Sequence, residues 1–206
     1  MMARVLTTAW DEPYAVSEMV CSGSPNTWVR HHCAELLPGR MLDLAGGEGR
    51  NALWLAQRGW QATVVDFSQS ALDRASECSR DLQVADAVEV VRADVRKYLP
   101  TGRAYDLVLI AYLPLPPGER NTVLNLAVSA VAPGGRLMLI GHDERNLVEG
   151  IGGPQDANLL SNPVQTATQL EALGLRVECA QTQPREVQTD DGARLAFDAV
   201  VIAARI

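Results

Sequence analysis

The sequence has no surplus of basic residues. Its 206 residues include 18 Lys plus Arg and 25 Asp plus Glu, which gives a formal net charge of −7. Nucleic acids and anionic membrane surfaces attract proteins through clustered positive charge, so this balance argues against a nucleic-acid coat and against a polybasic membrane anchor. The composition therefore predicts no nucleic-acid partner and no membrane partner.

Long apolar runs are also absent. Segments 107–110 and 199–204 are among the longest, and both are far shorter than the ~18 to 20 residues that a membrane helix needs. Residues 1–11 contain no apolar stretch long enough for the core of a signal peptide. We therefore expect a cytoplasmic protein.

Closely spaced cysteine pairs are missing as well. His31 and His32 precede a cysteine, but adjacent residues on a helix point in different directions, so the sequence predicts no metal site. The cysteines contain no CxxC pair, which is more typical of reduced thiols than of a disulfide framework or a zinc site. They are Cys21, Cys33, Cys78 and Cys179.

The chain does have enough apolar residues, 47%, to fill one sizeable core. From residue 41 onward, β-branched or apolar runs alternate with helix-like segments, which is typical of a parallel sheet covered on both faces. We expect a single domain whose core spans residues 41–206, with residues 1–40 as an N-terminal arm or lid packed on that core.

The alternation predicts an order of elements. Residues 146–163, rich in Gly, Asn and Pro, are expected to form a lid or binding loop. Asp191-Gly192 is a strong hairpin signal between two final strands at 175–188 and 194–205. Earlier strands are expected at 41–45, 61–66, 87–93, 106–112 and 136–141, and helices at 28–37, 51–58, 68–79, 117–131 and 163–173.

A glycine-rich turn lies between the first strand and the next helix. Segment 41–52 reads MLDLAGGEGRNA, and glycines at such a turn let a ligand approach the backbone closely. Asp43 lies in the first strand, Asp66 ends the second and Asp94 ends the third, which places three carboxylates along one edge of the predicted sheet. Carboxylates accept hydrogen bonds from hydroxyls and amines, so this edge suits a ligand without phosphate.

These motifs resemble class I S-adenosylmethionine-dependent methyltransferases, and the order of elements over 41–206 is similar to that of the family. The resemblance implies a Rossmann-like, doubly wound, seven-stranded sheet with an antiparallel last strand in three α/β/α layers. It also implies S-adenosylmethionine as the cofactor. Asp43 to Gly49 match the family's first motif, acidic-x-Gly-x-Gly-x-Gly, except that Ala45 replaces the first glycine. We expect Ala45 to keep a negative φ, because a left-handed alanine is strained.

The resemblance further implies a cofactor site. Asp66 would accept hydrogen bonds from both ribose hydroxyls, and Phe67 would lie against the adenine. Asp94 would accept from the adenine amino group, with Val95 near the ring, and the fourth-strand motif at 105–112 would end facing the methyl group. The full expected set is Asp43, Ala45, Gly46, Gly47, Gly49, Arg50, Asn51, Asp66, Phe67, Ser68, Asp94, Val95, Ala111 and Tyr112.

Within the family, the chain is most similar to small methyltransferases of the tellurite-resistance and thiopurine type. The segments that carry this likeness are WDEPY at 10–14, GSPN at 23–26, GGEGRN at 46–51, LWLA at 53–56 and GW at 59–60. The likeness implies that the arm closes over the methionine end of the cofactor. The arm residues concerned are Trp10, Tyr14, Pro25, Asn26 and Trp28.

Methyl transfer is an in-line displacement from a sulfonium, so positioning and exclusion of water contribute most to the rate. His142, just after the fifth strand, is the candidate general base for an oxygen or nitrogen acceptor. Tyr112 and Asn146 are expected to line the acceptor pocket, and Arg185 to hold an anionic acceptor. The candidate catalytic residues are thus His142, Tyr112 and Arg185.

The resemblance predicts methyl transfer to a small-molecule acceptor with a sulfur, selenium, tellurium, nitrogen or oxygen nucleophile. Two alternatives stay open. The pattern GxGxxA at 47–52 also fits an NAD(P)-dependent oxidoreductase. A catalytically silent S-adenosylmethionine-binding protein would carry the same cofactor motifs.

Overall fold

The computed structural model describes residues 24–100 and 102–206. The predicted alternation of strands and helices is confirmed, with bounds that differ by one to a few residues from those expected at most elements. The chain divides into two compact units, residues 1–99 and 100–206. Trp10 and Tyr14 of the predicted arm lie outside the described residues.

The first unit contains three parallel strands and the helices between them. The middle strand pairs with both others in parallel. The interiors of the first two strands are buried on both faces, which explains their largely apolar sequence, whereas the third strand is only partly buried. In chain order, its elements are helix α1 (Thr27–Cys33), strand β1 (Arg40–Leu44), helix α2 (Arg50–Ala56), strand β2 (Gln61–Asp66), helix α3 (Gln69–Asp81) and strand β3 (Val88–Arg92).

The second unit contains four strands and two helices. Two of its strands are parallel, and the chain then ends in a long antiparallel hairpin whose turn is formed by Asp190 and Asp191. The hairpin predicted from Asp191-Gly192 is confirmed. The elements are strand β4 (Tyr105–Ala111), helix α4 (Pro117–Ala130), strand β5 (Val131–His142), helix α5 (Pro163–Ala172), strand β6 (Arg176–Thr189) and strand β7 (Gly192–Ala204).

The seven strands have the order β3-β2-β1-β4-β5-β7-β6. Strand β7 is antiparallel to both β5 and β6, whereas the other pairings described are parallel. The fold class expected from the sequence, a doubly wound seven-stranded sheet with an antiparallel last strand, is therefore confirmed.

Strand β5 begins five residues earlier than predicted. The sequence predicted a helix up to residue 131 and a strand from residue 136, yet strand β5 runs from Val131 through Pro133-Gly134-Gly135. The Gly134 N–H donates to Arg205 O at 2.8 Å, and the Arg205 N–H donates to Gly135 O at 2.9 Å. Gly134 has φ +79°, so the strand passes through this segment with an irregular register against β4.

The segment after β5 covers part of the edge of β7. The side-chain amide of Asn146 donates to Phe197 O and its oxygen accepts from the Phe197 N–H, both at 2.7 Å. The Ile151 N–H then donates to Leu195 O at 3.0 Å. Strand β5 pairs with β7 only as far as Asp198, so this loop satisfies backbone groups that would otherwise form an open edge. Asn146, expected to line a pocket, instead anchors the loop.

The cysteines differ from expectation at one position. Cys179 is a free thiol, as predicted. Cys78 is disulfide-bonded, so the prediction of reduced cysteines is wrong for this residue. Within the described ranges 24–100 and 102–206, no helix is long and apolar enough to cross a bilayer, and no three His, Cys, Asp or Glu side chains form a metal-binding group.

The Asn146 anchor makes a testable contribution to stability. Replacing Asn146 with Ala removes two buried hydrogen bonds and leaves the Phe197 backbone groups without them, so we expect the free energy of unfolding to fall by about 2 to 3 kcal/mol. Urea denaturation measures the difference. The control Asn121→Ala, at an exposed position of α4, should change stability by less than about 0.7 kcal/mol. Equal effects of the two substitutions would contradict the assigned role.

Candidate active site

The glycine-rich loop after β1 turns through the left-handed region. Gly47 has φ +57° and Gly49, which precedes α2, has φ +73°. Ala45 also has a positive φ, +58°, so the expectation that it keeps a negative φ is wrong. Ala45 takes up the conformation that the usual glycine would adopt, at a cost of roughly 1 to 2 kcal/mol. Immediately after Ala45, a backbone hydrogen bond holds the loop to the second strand: the Gly46 N–H donates to Val65 O at 3.2 Å.

Gly46 is required by close packing. A Cβ atom on Gly46 would lie 2.9 Å from Asp43 Cγ and 2.9 Å from Val64 Cγ1. Contacts this short are not tolerated between carbon atoms. The loop backbone therefore lies directly against the Asp43 carboxyl group, which is only 1% exposed.

Asp66 connects the loop to the end of β2. Its Oδ2 accepts from the Gly47 N–H and its Oδ1 accepts from the Ser68 N–H, each at 2.9 Å. A carboxylate has about four acceptor positions, so two remain for a ligand. Asp66 thus orders the loop and keeps the capacity to accept from two hydroxyls, as its expected ribose contact requires.

Asp43 is a buried acid without a partner in the described structure. Both of its oxygens are buried, and neither makes a hydrogen bond with a described residue. Burial raises its pKa from 3.8 to about 7; Arg50 opposes this rise and Asp66 adds to it. A buried carboxylate is costly unless a cation or donor pairs with it. The position therefore suits the ammonium group of a ligand.

Two residues expected in the cofactor site also hold secondary structure. The Asn51 side-chain oxygen accepts from the Asn26 N–H at 2.8 Å. Asn26 itself caps α1, accepting from the Trp28 N–H at 2.8 Å. Ser68 caps α3, its hydroxyl accepting from the Ala71 N–H at 3.3 Å. Their direct contacts with cofactor stay predictions.

Asp94 is engaged by a neighbouring arginine. Its oxygens accept from Arg96 Nε at 2.8 Å and Nη2 at 2.7 Å, and also from the Arg96 N–H at 3.0 Å. These bonds with Arg96 hold the pKa of Asp94 below its usual value. The carboxylate stays ionised at neutral pH, as an acceptor for an amino group must be. Nearby, Val95 is buried and Phe67 is half-buried.

Sequence reasoning missed an ion pair on the loop. Glu48 lies between the two glycines Gly47 and Gly49, and Arg74 of α3 donates to it at 2.6 Å. The pair joins the loop to the following helix. The sequence did show a charged residue, Glu48, between two glycines. Its partner Arg74 lies 26 positions away, and the spacing of residues in the sequence does not predict this pairing.

The candidate catalytic residues of the second unit lie around a buried carboxylate. Tyr112 OH donates to Asp198 Oδ2 at 2.9 Å, and Arg185 Nε donates to the same oxygen at 3.0 Å. Asp198 on β7 is 0% exposed and was missed by sequence reasoning. Its signal was an acid inside the apolar run LAFDAVVIAA. Tyr112 has φ +54°, a strained conformation of the kind found at functional sites.

His142 packs against this group. Its ring lies 4.8 Å from the Tyr112 ring, centroid to centroid. Its Nδ1 is buried without a hydrogen-bond partner among the described residues. Burial lowers the pKa of His142; Asp198 opposes this and Arg185 adds to it. The imidazole is therefore neutral at physiological pH, which is the form that accepts a proton.

Loop residue Gly153 closes over His142. A Cβ atom there would lie 2.7 Å from His142 Cγ, and Gly153 has φ +77°. The Ser161 N–H also donates to His142 O at 2.8 Å. The loop predicted at 146–163 thus packs on the candidate base, and its expected role as a lid stays a prediction.

A cleft elsewhere in the second unit is a weaker candidate for an acceptor pocket. It is lined mainly by apolar side chains, with Arg120 as its charged member, and its enclosed volume is about 50 Å³. Small-molecule pockets usually measure ~300 Å³ or more. Arg120 donates to Leu115 O and Asn158 O at 3.0 and 2.7 Å, so its guanidinium serves the local fold.

Comparison with known proteins relates the segment that contains the glycine loop to methyltransferases. Residues 41–135 match the family model described as "Methyltransferase domain". The tRNA 5-carboxymethoxyuridine methyltransferase of Escherichia coli K12 is 31% identical over 112 residues, which cover 53% of this chain and 42% of that protein. The chain thus spans less than half the length of this relative.

Solved structures share the fold. TehB from Haemophilus influenzae aligns with a TM-score of 0.71 at 15% identity, covering 86% of this chain and 61% of that one. The glycopeptide N-methyltransferase MtfA, solved with S-adenosylhomocysteine, aligns with a TM-score of 0.67 at 19% identity, covering 89% and 88%. The motif, the fold and the family match agree in one respect: residues 41–135 are similar to a methyltransferase domain.

Proposed function

We propose that the protein transfers the methyl group of S-adenosylmethionine to a small-molecule acceptor. The observation that carries the proposal is the pair of acids beside the glycine loop. Asp43 is buried without a partner in the described structure, and Asp66 has acceptor positions left beyond the loop bonds. An ammonium group and two ribose hydroxyls satisfy these groups, and S-adenosylmethionine has both.

Each residue group has a proposed task. Asp43 pairs with the cofactor's ammonium, Asp66 accepts from its ribose, and Asp94 accepts from its adenine. S-adenosylmethionine, when bound, supplies an electrophilic methyl group on a sulfonium. In the second unit, Tyr112 and Arg185 orient the acceptor, and neutral His142 takes a proton from an oxygen or nitrogen nucleophile.

The acidic character of the loop region argues against the oxidoreductase alternative. A dinucleotide would bring a pyrophosphate to the loop. The loop backbone at Gly46 lies directly against the Asp43 carboxyl group, so the ionised form of Asp43 would repel a pyrophosphate bound there. The silent binding protein shares every cofactor contact, so only a test of transfer separates it from the enzyme.

The acceptor class rests on charge. The net charge of −7 disfavours nucleic acid, although the Escherichia coli relative is named for a tRNA substrate. The fold likeness to TehB supports assignment to the tellurite-resistance and thiopurine type.

We also infer that residues 41–206 act as one domain with 1–40 as its arm, and that the protein works in the cytoplasm.

A methyl-transfer screen tests the proposal. The protein is incubated with methyl-tritiated S-adenosylmethionine and pooled thiols, metalloid oxyanions, amines, carboxylic acids and bulk tRNA. We expect label in at least one small-molecule pool and none in tRNA. Label in tRNA alone would contradict the acceptor class. Tight binding of S-adenosylhomocysteine with no labelled pool would favour the silent binding protein, and quenching of tryptophan fluorescence by NADH alone would favour the oxidoreductase.

The Asp66 contact makes a second prediction. Asp66→Asn keeps the side-chain shape and one oxygen, but it replaces the other acceptor with a donor. We expect S-adenosylhomocysteine to bind about 10-fold or more weakly, because hydrogen bonds to a charged acceptor contribute about 1.5 to 3 kcal/mol. Isothermal calorimetry measures the affinity, and Asp86→Asn, exposed in the same unit, is the matched control. An affinity equal to that of the control would reject the ribose contact.

The raised pKa of Asp43, about 7, predicts a pH dependence of stability. A folded-state pKa above the unfolded value adds stability that is fully present below about pH 4 and is lost as the pH rises through about 7. Between about pH 5 and pH 8, we expect the ligand-free wild type to lose about 3 kcal/mol more stability than Asp43→Asn. Urea denaturation of both proteins across this range measures the difference. Parallel pH profiles would show that Asp43 titrates normally.

A further inference from the structure

Asp198 and Arg185 form a buried-to-exposed pair on the terminal hairpin. The Asp198 side chain is 0% exposed, whereas that of Arg185 is 33% exposed. A ligand in solvent therefore reaches the guanidinium and not the carboxylate. Asp198 accepts from Arg185 Nε, so the buried carboxylate holds the guanidinium on the solvent side of the pair.

The guanidinium is held by Asp198 through Nε and also by a side-chain hydrogen bond with Tyr112, and its other N–H groups can serve a ligand. A guanidinium is planar and has five N–H donors in a fork that matches the two oxygens of a carboxylate. Fixing Nε on a buried acceptor sets the plane of this fork and reduces the rotamer freedom lost when a ligand binds. Tyr112 OH donates to the same Asp198 oxygen, so the phenol and the guanidinium are oriented by one group.

Within residues 24–100 and 102–206, the groups found to act on the fork carry no accessible negative charge. Asp198 is the acid that faces it and is fully buried, and His142 is neutral because burial lowers its pKa. In the β6–β7 register, Gln183 pairs with Asp198 and Ala196 pairs with Arg185. Glu186 is adjacent to Arg185 in β6, so its side chain points to the opposite face of the strand. The accessible surface of the cluster is therefore cationic or neutral.

We propose that Arg185, held by Asp198, binds a carboxylate of the methyl acceptor, with the adjoining rings of Tyr112 and His142 packing on the acceptor's body. Asp198 is the positioning residue and Arg185 the binding residue. This assignment rests on the proposed function, since it names the chemical class of the acceptor for that reaction.

The test uses benzoate and benzamide, which match in shape and differ in charge, as probes of the full-length protein saturated with S-adenosylhomocysteine. Titrations are followed by NMR at the Arg185 Nε–H resonance. We expect benzoate to shift this resonance and to bind about 10-fold or more tightly than benzamide, since charge-assisted hydrogen bonds are about twice as strong as neutral ones. Equal binding of the two probes, or no binding of benzoate, would overturn the proposal.

Variants separate binding from positioning. Arg185→Gln should weaken benzoate binding about 10-fold or more, whereas Arg194→Gln, at an exposed position of the same hairpin, removes an equal charge and should leave it unchanged. Asp198→Asn should weaken benzoate binding and move the Arg185 Nε–H resonance before any ligand is added. Unchanged benzoate binding in Arg185→Gln would overturn the carboxylate site.

A shared control keeps this test distinct from that of the proposed function. S-adenosylhomocysteine affinity is measured in every sample, and loss of that affinity in the wild type would contradict the methyltransferase proposal rather than the carboxylate site. If Asp198→Asn fails to fold, Arg185→Lys takes its place. Lysine keeps the charge but not the fork, so we expect it to lose most of the preference for benzoate; a preference equal to that of the wild type would reject the oriented fork.

Discussion

The contact between the glycine loop and the ends of the first two strands is the constraint on which the cofactor site depends. The Gly47 N–H donates to Asp66, and the Gly46 backbone lies against the Asp43 carboxyl group without room for a side chain. These contacts determine the path of the loop before any ligand binds. They also keep one acid buried without a partner in the described structure and another with spare acceptor positions.

The second unit is built around a buried acid in a similar way. Asp198 orients Tyr112 and Arg185 through one carboxylate oxygen, and the ring of His142 lies beside that of Tyr112. The loop anchored by Asn146 covers the exposed part of β7 next to this group. In both units, backbone geometry and one buried carboxylate determine where the polar side chains are presented. The cost of burying the acids is offset by the hydrogen bonds they accept, except at Asp43.

Sequence reasoning predicted the order of helices and strands well because it depends on local signals. Apolar periodicity, the Ser68 cap and the Asp191-Gly192 hairpin signal are all local. It was wrong for the φ of Ala45, because hydrogen bonds from strand β2, which local sequence does not indicate, help to hold the loop. It missed Asp198 as the centre of the second cluster, because its partner Tyr112 lies 86 residues away in the sequence, and because the hairpin signal did not give the register that brings Arg185 close to it. The disulfide bond of Cys78 was likewise not predicted, because the spacing of the cysteines in the sequence does not indicate it.

The likeness to methyltransferases does not give the acceptor, because one fold carries many functions and the acceptor depends on the site. The central claim is that Asp43 and Asp66 bind an adenosyl amino acid. A crystal structure of the protein soaked with S-adenosylhomocysteine tests it most directly. The account predicts the ammonium within hydrogen-bond distance of Asp43 and both ribose hydroxyls on Asp66. A bound ligand that leaves both carboxylates without contact would contradict it.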